Sequence, residues 1–101
     1  MAQTPEAKVK NSVKKVLDAE GVYHFSPVGS AFGRSGIPDI ICCVQGSFLA
    51  IECKAGNNTT TELQKRELRK IQSAGGMAIV INETNVDAVA KTIKMIKEHY
   101  K

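Results

Sequence analysis

The chain of 101 residues is 43% hydrophobic and 24% charged, a composition typical of one globular domain with a single modest core. No apolar run reaches about 18 residues and no signal-peptide pattern opens the chain, so we expect a single domain over residues 1–101, located in the cytoplasm without a membrane partner. The formal net charge of +4 permits a polyanionic partner, whereas 5% aromatic residues and no tryptophan argue against a surface that stacks bases.

The first predicted helix begins at Thr4, a preferred N-cap residue followed by proline, and ends at Gly21. Its apolar face recurs at helical spacing through Val9, Val13, Val16 and Leu17. Two acids share that face, Glu6 in the first turn and Glu20 at the far end. An acid in the first turn favours the helix dipole by itself, so Glu6 has a structural explanation besides a functional one.

Residues 22–25 predict a short strand, and the glycines and prolines of residues 26–37 predict an irregular loop. The loop backbone would be able to approach an anion through its glycines, Gly29, Gly33 and Gly36. Arg34 is suited to the same contact, although a plain connection with one solvated arginine explains these residues equally well. His24 has no second histidine at ligand spacing and is interpreted as an ordinary strand residue.

Two apolar, β-branched runs flank Gly46-Ser47 and predict a β-hairpin with those two residues as its turn, so that Gln45 pairs with Phe48. Both faces of this hairpin are apolar, and we therefore expect both sides of the sheet to be covered. One face carries Ile41, Cys43, Phe48 and Ala50, and the other carries Ile40, Cys42, Val44, Leu49, Ile51 and Cys53. The three cysteines lack metal-ligand spacing and are predicted to be buried, reduced thiols.

Three charged residues meet at the open end of the predicted hairpin. In the register above, Asp39 lies opposite Lys54, with Glu52 as its diagonal neighbour on the same face. Buried carboxylates must be paired, hydrated or bound to a cation, and an Asp39–Lys54 ion pair is the structural explanation. The chemical explanation is a Mg²⁺ site in which the lysine orients a water molecule. The residue types therefore suggest metal-assisted phosphodiester hydrolysis.

A second helix is predicted from about residue 61 to 74, with Thr59-x-x-Glu62 or Thr61-x-x-Gln64 as its capping box. Gln64 then projects into the buried stripe, which consists of Leu63, Leu68 and Ile71. The outer side is basic and is either a solvated face or a place for a phosphate backbone: Lys65, Arg66, Arg69 and Lys70.

Residues 77–81 form an apolar run that predicts a strand in the middle of the sheet, and the last helix buries one face. That face consists of Val86, Val89, Ile93 and Ile96, continued by Tyr100. The element order predicts an α/β protein with a small mixed sheet flanked by helices on both faces. Its last two strands should be parallel, joined through the second helix.

Three segments of the chain resemble the VRR-NUC branch of the PD-(D/E)XK nucleases: GIPD at residues 36–39, FLAIECK at 48–54 and TELQ at 61–64. The resemblance covers nearly the whole chain, and it is closest to the stand-alone minimal type found in phages and bacteria. It implies the restriction-endonuclease-like core of that superfamily, in agreement with the predicted element order.

The resemblance implies a role for each residue of the charged end. Asp39 and Glu52 would hold Mg²⁺ or Mn²⁺, with the backbone carbonyl of Cys53 as third ligand, and Lys54 would position or activate the attacking water. A helix glutamate near the metal, or near its water, is matched to Glu6.

Two matches leave alternatives open. Glu20 is the other candidate for the helix glutamate. Gln64 is matched to a glutamine that reaches back toward the active site, whereas a purely capping glutamine is the structural alternative.

The activity that follows is that of a metal-dependent, structure-selective DNA endonuclease, resembling a Holliday-junction resolvase that acts on branched DNA as a homodimer. Arg34, Lys65 and Arg66 are the candidate contacts to nucleic acid. The alternatives are a nuclease for flaps, nicks, single strands or RNA, and a non-catalytic nucleic-acid-binding module of the same fold. Intact acids argue against the binding module, because clustered carboxylates repel phosphate.

Overall fold

The computed structural model describes residues 3–27 and 34–99. Helices and strands follow one another there in the predicted order. They are helix α1 (Pro5–Ala19), strands β1 (Tyr23–Phe25), β2 (Ile40–Val44) and β3 (Ser47–Cys53), helix α2 (Glu62–Ser73), strand β4 (Met77–Ile81) and helix α3 (Asp87–His99). The Thr4 cap is confirmed, because the amide of Ala7 donates to its Oγ1 at 3.1 Å.

The strands form one mixed sheet in the order β1-β2-β3-β4. The first two pairings are antiparallel, and the pairing of β3 with β4 is parallel, which confirms the mixed sheet and the connection through α2. In the described part of the chain β4 lies at the edge of the sheet, so its predicted central position is wrong. Its run is apolar because α2 packs on this strand while Met77, Ile79 and Ile81 face the core.

The hairpin turn lies one residue earlier than predicted. Val44 pairs with Ser47, which makes Gln45 and Gly46 the turn residues. Both have positive φ, 51° and 81°, as a type I′ turn requires. A turn at Gly46-Ser47 would instead have been of type II′, with positive φ at the glycine alone. Each residue of β2 therefore pairs with a β3 residue two positions before its predicted partner, yet every side chain stays on its predicted face.

Helices α1 and α3 cover one face of the sheet. The buried residues there come from the predicted stripes and from the inner face of the hairpin: Val9, Val13, Leu17, Ile40, Cys42, Val44, Leu49, Ile51, Cys53, Val89, Ile93 and Ile96. The prediction for Tyr100 lies outside the described residues.

The opposite face is covered only in part, so the expectation of two covered sides is half right. Helix α2 lies over the β3–β4 half, where a Cβ on Gly76 would meet both Ile71 and Phe48. Toward the other edge, Tyr23 and Phe25 are 71% and 49% exposed. Cys43 is also exposed, which makes its predicted burial wrong.

The two other cysteines are buried free thiols, as predicted. Burial raises the pKa of Cys42 to about 11. Burial, and then the charges of Asp39 and Glu52, raise the pKa of Cys53 to about 12. Both thiols are therefore protonated at neutral pH and poor nucleophiles.

Candidate active site

Asp39 and Glu52 meet at the end of the hairpin farthest from the turn. Asp39 directly precedes β2, whose first residue Ile40 pairs with Ile51, and its side chain forms a hydrogen bond with that of Glu52 in β3. Glu52 is 1% exposed and Asp39 is half-buried. The predicted face is therefore right, whereas the predicted partner of Asp39, Lys54, is wrong because of the shifted turn.

The Glu52 carboxyl group is held in its protonated form. Burial, a hydrogen bond with Asp39, and the negative charges of Asp39 and Glu6 raise its pKa to about 9, although the charge of Lys54 lowers it. At neutral pH the Glu52 carboxyl group therefore retains its proton within the hydrogen bond between the two carboxyl groups. A cation that binds between them must displace it.

Backbone hydrogen bonds hold the acids in place. The amide of Cys53 donates to Asp39 Oδ2 at 2.7 Å, which ties this side chain across the hairpin to the neighbour of Glu52. The amide of Lys54 donates to the carbonyl of Ile81 at 2.9 Å, which extends the pairing with β4 by one residue. The sequence Glu52-Cys53-Lys54 is thus fixed between two neighbours, as a reactive geometry requires.

Lys54 is half-buried, and its ammonium group makes no ion pair within the described residues. The Asp39–Lys54 pair that would explain these residues structurally is therefore not formed. The lysine charge still acts on Glu52, whose pKa it lowers. An amine that no carboxylate engages is available to a water molecule or a phosphate oxygen.

The structure distinguishes the two candidate helix glutamates. Glu6, in the first turn of α1, is close enough for its charge to raise the pKa of Glu52. Glu20 is the C-cap residue at the other end of this helix. With a rise of about 1.5 Å per residue, the two lie roughly 20 Å apart along the helix axis. Only Glu6 is brought toward the carboxylate pair.

Gln64 forms the capping box of α2. Its Oε1 accepts from the amide of Thr61 at 2.9 Å, while its own amide donates to Thr61 Oγ1 at 3.2 Å. The structural alternative for this glutamine is therefore realised, with Thr61 rather than Thr59 as the cap. A further role toward the carboxylates would have to use the Nε2 group.

Gly36 positions the chain just before Asp39. Its φ is 79°, and a Cβ at this residue would lie 2.5 Å from the carbonyl oxygen of Leu63 and 2.9 Å from the amide nitrogen of Gln64. The glycine thus lets the backbone pack against the first turn of α2, which is a structural reason for glycine at this position. Gly29 and Gly33 lie outside the described residues.

The basic candidates separate into two groups. Arg34 and Arg66 line one groove beside α2. Lys65 lies 3.5 Å from Glu62 and does not line that groove.

Sequence reasoning missed Glu67, which is buried in the helix face where Leu63 was expected. Leu63 is 51% exposed, so its predicted burial is wrong. The spacing of Gln64, Glu67 and Ile71 was the available signal.

The donor set fits a hard divalent cation. Glu52 Oε2 is buried without a hydrogen-bond partner in the described structure, beside the Asp39 carboxyl group. Residues 3–27 and 34–99 contain no group of three or more His, Cys, Asp or Glu side chains placed to hold a metal. Backbone and water oxygens would therefore complete the coordination, as is usual for Mg²⁺.

Comparisons with known proteins identify the family and the fold of the chain. Residues 6–98 match the family model of the archaeal Holliday junction resolvase (hjc). A solved structure described as a VRR_NUC domain superposes with a TM-score of 0.69 at 23% identity, covering 98% of this chain and 100% of its own. A VRR_NUC domain protein gives a TM-score of 0.64 at 21% identity, covering 97% of this chain and 89% of its own.

No curated protein matches the chain. None of the helices in the described residues is long and apolar enough to cross a membrane. The family match spans nearly all of the sequence, and the structural likeness establishes the same α/β fold with three helices around a four-stranded sheet. The chain belongs to the archaeal Holliday junction resolvase family of PD-(D/E)XK nucleases, with the fold of VRR-NUC domains.

Proposed function

We propose that residues 1–101 form one Mg²⁺- or Mn²⁺-dependent DNA endonuclease domain that cuts branched DNA in the manner of a Holliday-junction resolvase. The observation that carries the proposal is the carboxyl pair of buried Glu52 and half-buried Asp39, beside a Lys54 that makes no ion pair among the described residues. Such a pair is unfavourable for folding and suited to a divalent cation. We place its action in the cytoplasm of a bacterial cell or phage host.

Each residue of the site has a distinct proposed task. Asp39 and Glu52 hold the metal, with the carbonyl of Cys53 as third protein ligand; the bound metal would polarise the scissile phosphate and ease deprotonation of water. Lys54 orients the attacking water and offsets negative charge on the phosphate oxygens. Glu6 acts from α1 through a water molecule, and Gln64 orients neighbouring groups through Nε2.

The nucleic-acid partner and the oligomeric state extend the proposal. Arg34, Lys65 and Arg66 are the proposed DNA contacts, with Lys65 the least supported because it lies beside Glu62. We infer a homodimer, because symmetric cuts in two strands of a junction require two active sites related by a two-fold axis.

The test compares cleavage of labelled four-way junction, flap, nicked and linear duplex DNA with Mg²⁺ or Mn²⁺, by the wild type and by Lys54→Ala. We expect paired symmetric cuts in the junction that the variant loses, by a factor of about 100 or more, because Lys54 acts on the reacting groups. Its fold, measured by circular dichroism, should be unchanged.

The other outcomes are equally specific. Cleavage of flaps, nicks, single strands or RNA in preference to junctions would retain the nuclease and replace the substrate. Equal cleavage by the wild type and Lys54→Ala would contradict the mechanism. If neither hydrolyses any nucleic acid and both bind it alike, the chain is a binding module with a nuclease fold.

A further inference from the structure

A buried carboxylate lies on the sheet-facing side of α2. Glu67 is 9% exposed. Arg34 approaches its Oε1 with both Nε and Nη2 at 3.1 Å, and Lys70 Nζ lies 3.7 Å from Oε2. Each carboxylate oxygen therefore faces its own cation, one from the loop before β2 and one from the next turn of the helix.

Stability alone does not account for this acid. Taking a carboxylate out of water is unfavourable, and well-packed apolar residues in place of a buried ion pair are often neutral or stabilising. An apolar residue at position 67 would extend the surface formed by Leu68 and Ile71, which lie on the same side of α2. The carboxylate does what an apolar side chain cannot, because it fixes the position of two cations.

The two cations keep their outer sides in solvent. The side chains of Arg34 and Lys70 are 61% and 53% exposed, and with Arg66 they line a cavity of about 270 Å³. Three cations and the one carboxylate of Glu67 give the lining of this cavity a net charge of +2. Two of the five guanidinium N–H groups face Glu67, and the remainder suit the oxygens of a phosphate.

This groove is connected to the candidate active site by a short segment. From Arg34 to Asp39 the chain spans at most about 17 Å when fully extended. Between them, Gly36 packs against the first turn of α2. One DNA strand carries a phosphate every 3.4 Å or so along the helix axis, so the backbone distance from Arg34 to Asp39 corresponds to at most about five nucleotides.

We propose that Arg34, Arg66 and Lys70 bind a backbone phosphate of the DNA strand within about five nucleotides of the cleaved bond, and that Glu67 is the positioning residue that holds Arg34 and Lys70 for this contact. The proposal rests on the nuclease function above and adds to it the place where the strand is gripped. A guanidinium group held in advance loses less freedom when it binds phosphate.

The test measures DNA affinity over a series of salt concentrations without divalent metal, for the wild type, Glu67→Gln and the control Glu62→Gln. Both variants remove one negative charge from α2, but Glu62 is exposed and lies outside the groove. Charge alone predicts tighter binding for both. We expect Glu67→Gln to bind roughly fivefold to tenfold more weakly, with a salt slope lower by about one, whereas Glu62→Gln binds at least as tightly as the wild type.

A second variant keeps the test valid if Glu67→Gln is poorly folded. Arg34→Ala removes an exposed side chain and should lower the salt slope by about one. Arg34→Ala combined with Glu67→Gln should lose less affinity than the sum of the two single losses, because Glu67 acts in part through Arg34. A methylphosphonate within five nucleotides of the cut should weaken wild-type binding more than it weakens binding by Arg34→Ala, which keeps Arg66 and Lys70.

Two results would overturn the role of Glu67. One is equal DNA binding by the two glutamine variants. The other is a lower melting temperature of Glu67→Gln with the wild-type salt slope, which identifies a purely structural ion pair. Junction cleavage by the wild type with Mg²⁺ is measured in parallel. If the wild type cleaves no junction, the proposed nuclease function is contradicted. If it cleaves but the salt slopes of Glu67→Gln and Arg34→Ala equal that of the wild type, only the phosphate contact is contradicted.

Discussion

Glu52 shows how one residue of the proposed metal site can oppose folding. Its carboxyl group is 1% exposed, and its pKa is raised from 4.5 to about 9 by burial and by Asp39. Between pH 4.5 and about pH 9, Glu52 holds a proton in the folded chain that it releases in the unfolded chain. The free energy of unfolding therefore falls as the pH rises through this range.

Replacing Glu52 by glutamine should remove that dependence. We expect Glu52→Gln to be more stable than the metal-free wild type by roughly 1–3 kcal/mol at pH 8, with little difference at pH 4.5. Denaturant unfolding at several pH values measures it, with the exposed Glu62→Gln as control. Mg²⁺ should stabilise the wild type more as the pH rises and leave Glu52→Gln unaffected. If the free energies of unfolding of the wild type and Glu52→Gln differ by the same amount at every pH measured, Glu52 does not hold a buried proton.

Gly36 is a second residue whose neighbours determine its identity. Gly36→Ala would place a methyl group 2.5 Å from the Leu63 carbonyl oxygen and should destabilise the fold by about 1–3 kcal/mol. Because Asp39 follows on the same segment, DNA cleavage should fall as well. Gly21→Ala is the control: its φ is also positive, but nothing lies within 4 Å of the added Cβ. Equal effects of the two substitutions on cleavage would contradict a positioning role for Gly36.

At the scale of elements, the hairpin shows what could be predicted and what could not. The alternation of side chains put Asp39 and Glu52 on one face, and moving the turn by one residue changes the partner by two positions, which preserves that face. The exact partner depends on which turn residue tolerates positive φ. Gln45 is not a favoured residue at positive φ, so the sequence pattern predicts Gly46-Ser47 as the turn, whereas the structure uses Gln45-Gly46.

The same turn provides a prediction about stability. Gln45→Asn would create Asn-Gly, the favoured sequence for two positive φ values, and should stabilise the fold by about 0.5–1 kcal/mol without changing cleavage. Urea unfolding measures it. Gln72→Asn, on the exposed side of α2, is a matched control and should be neutral or slightly destabilising. A destabilising Gln45→Asn would argue against this turn.

Helix α2 was less accessible to sequence reasoning than the hairpin. Its start followed from the capping residues Thr61 and Gln64, which the structure confirms. Its buried face did not follow, because hydrophobicity favours Leu63 over Glu67. The buried carboxylate is paired with Arg34, which is 33 residues away in the sequence, as well as with Lys70 in the next turn. Contacts of this kind arise from the folded chain and leave no local pattern.

At the scale of the whole molecule, subunit mixing tests the proposed homodimer. Wild type and Lys54→Ala are combined in equal amounts under conditions that exchange subunits. If two subunits are needed for paired cuts, only about a quarter of the dimers can make them, and the mixed half should nick one strand. Independent monomers would instead retain half of the paired cutting without an increase in nicked junctions, which would contradict the dimer.

The hydrogen bond from the Cys53 amide to Asp39 has a consequence for how the site is observed. A backbone amide in a strand normally reports on the pairing of that strand, but this one is protected by a side chain. Its rate of exchange with deuterated water therefore measures whether the aspartate is seated. This amide, one residue from Glu52, therefore reports by its hydrogen exchange how often the candidate active site is assembled in the metal-free protein.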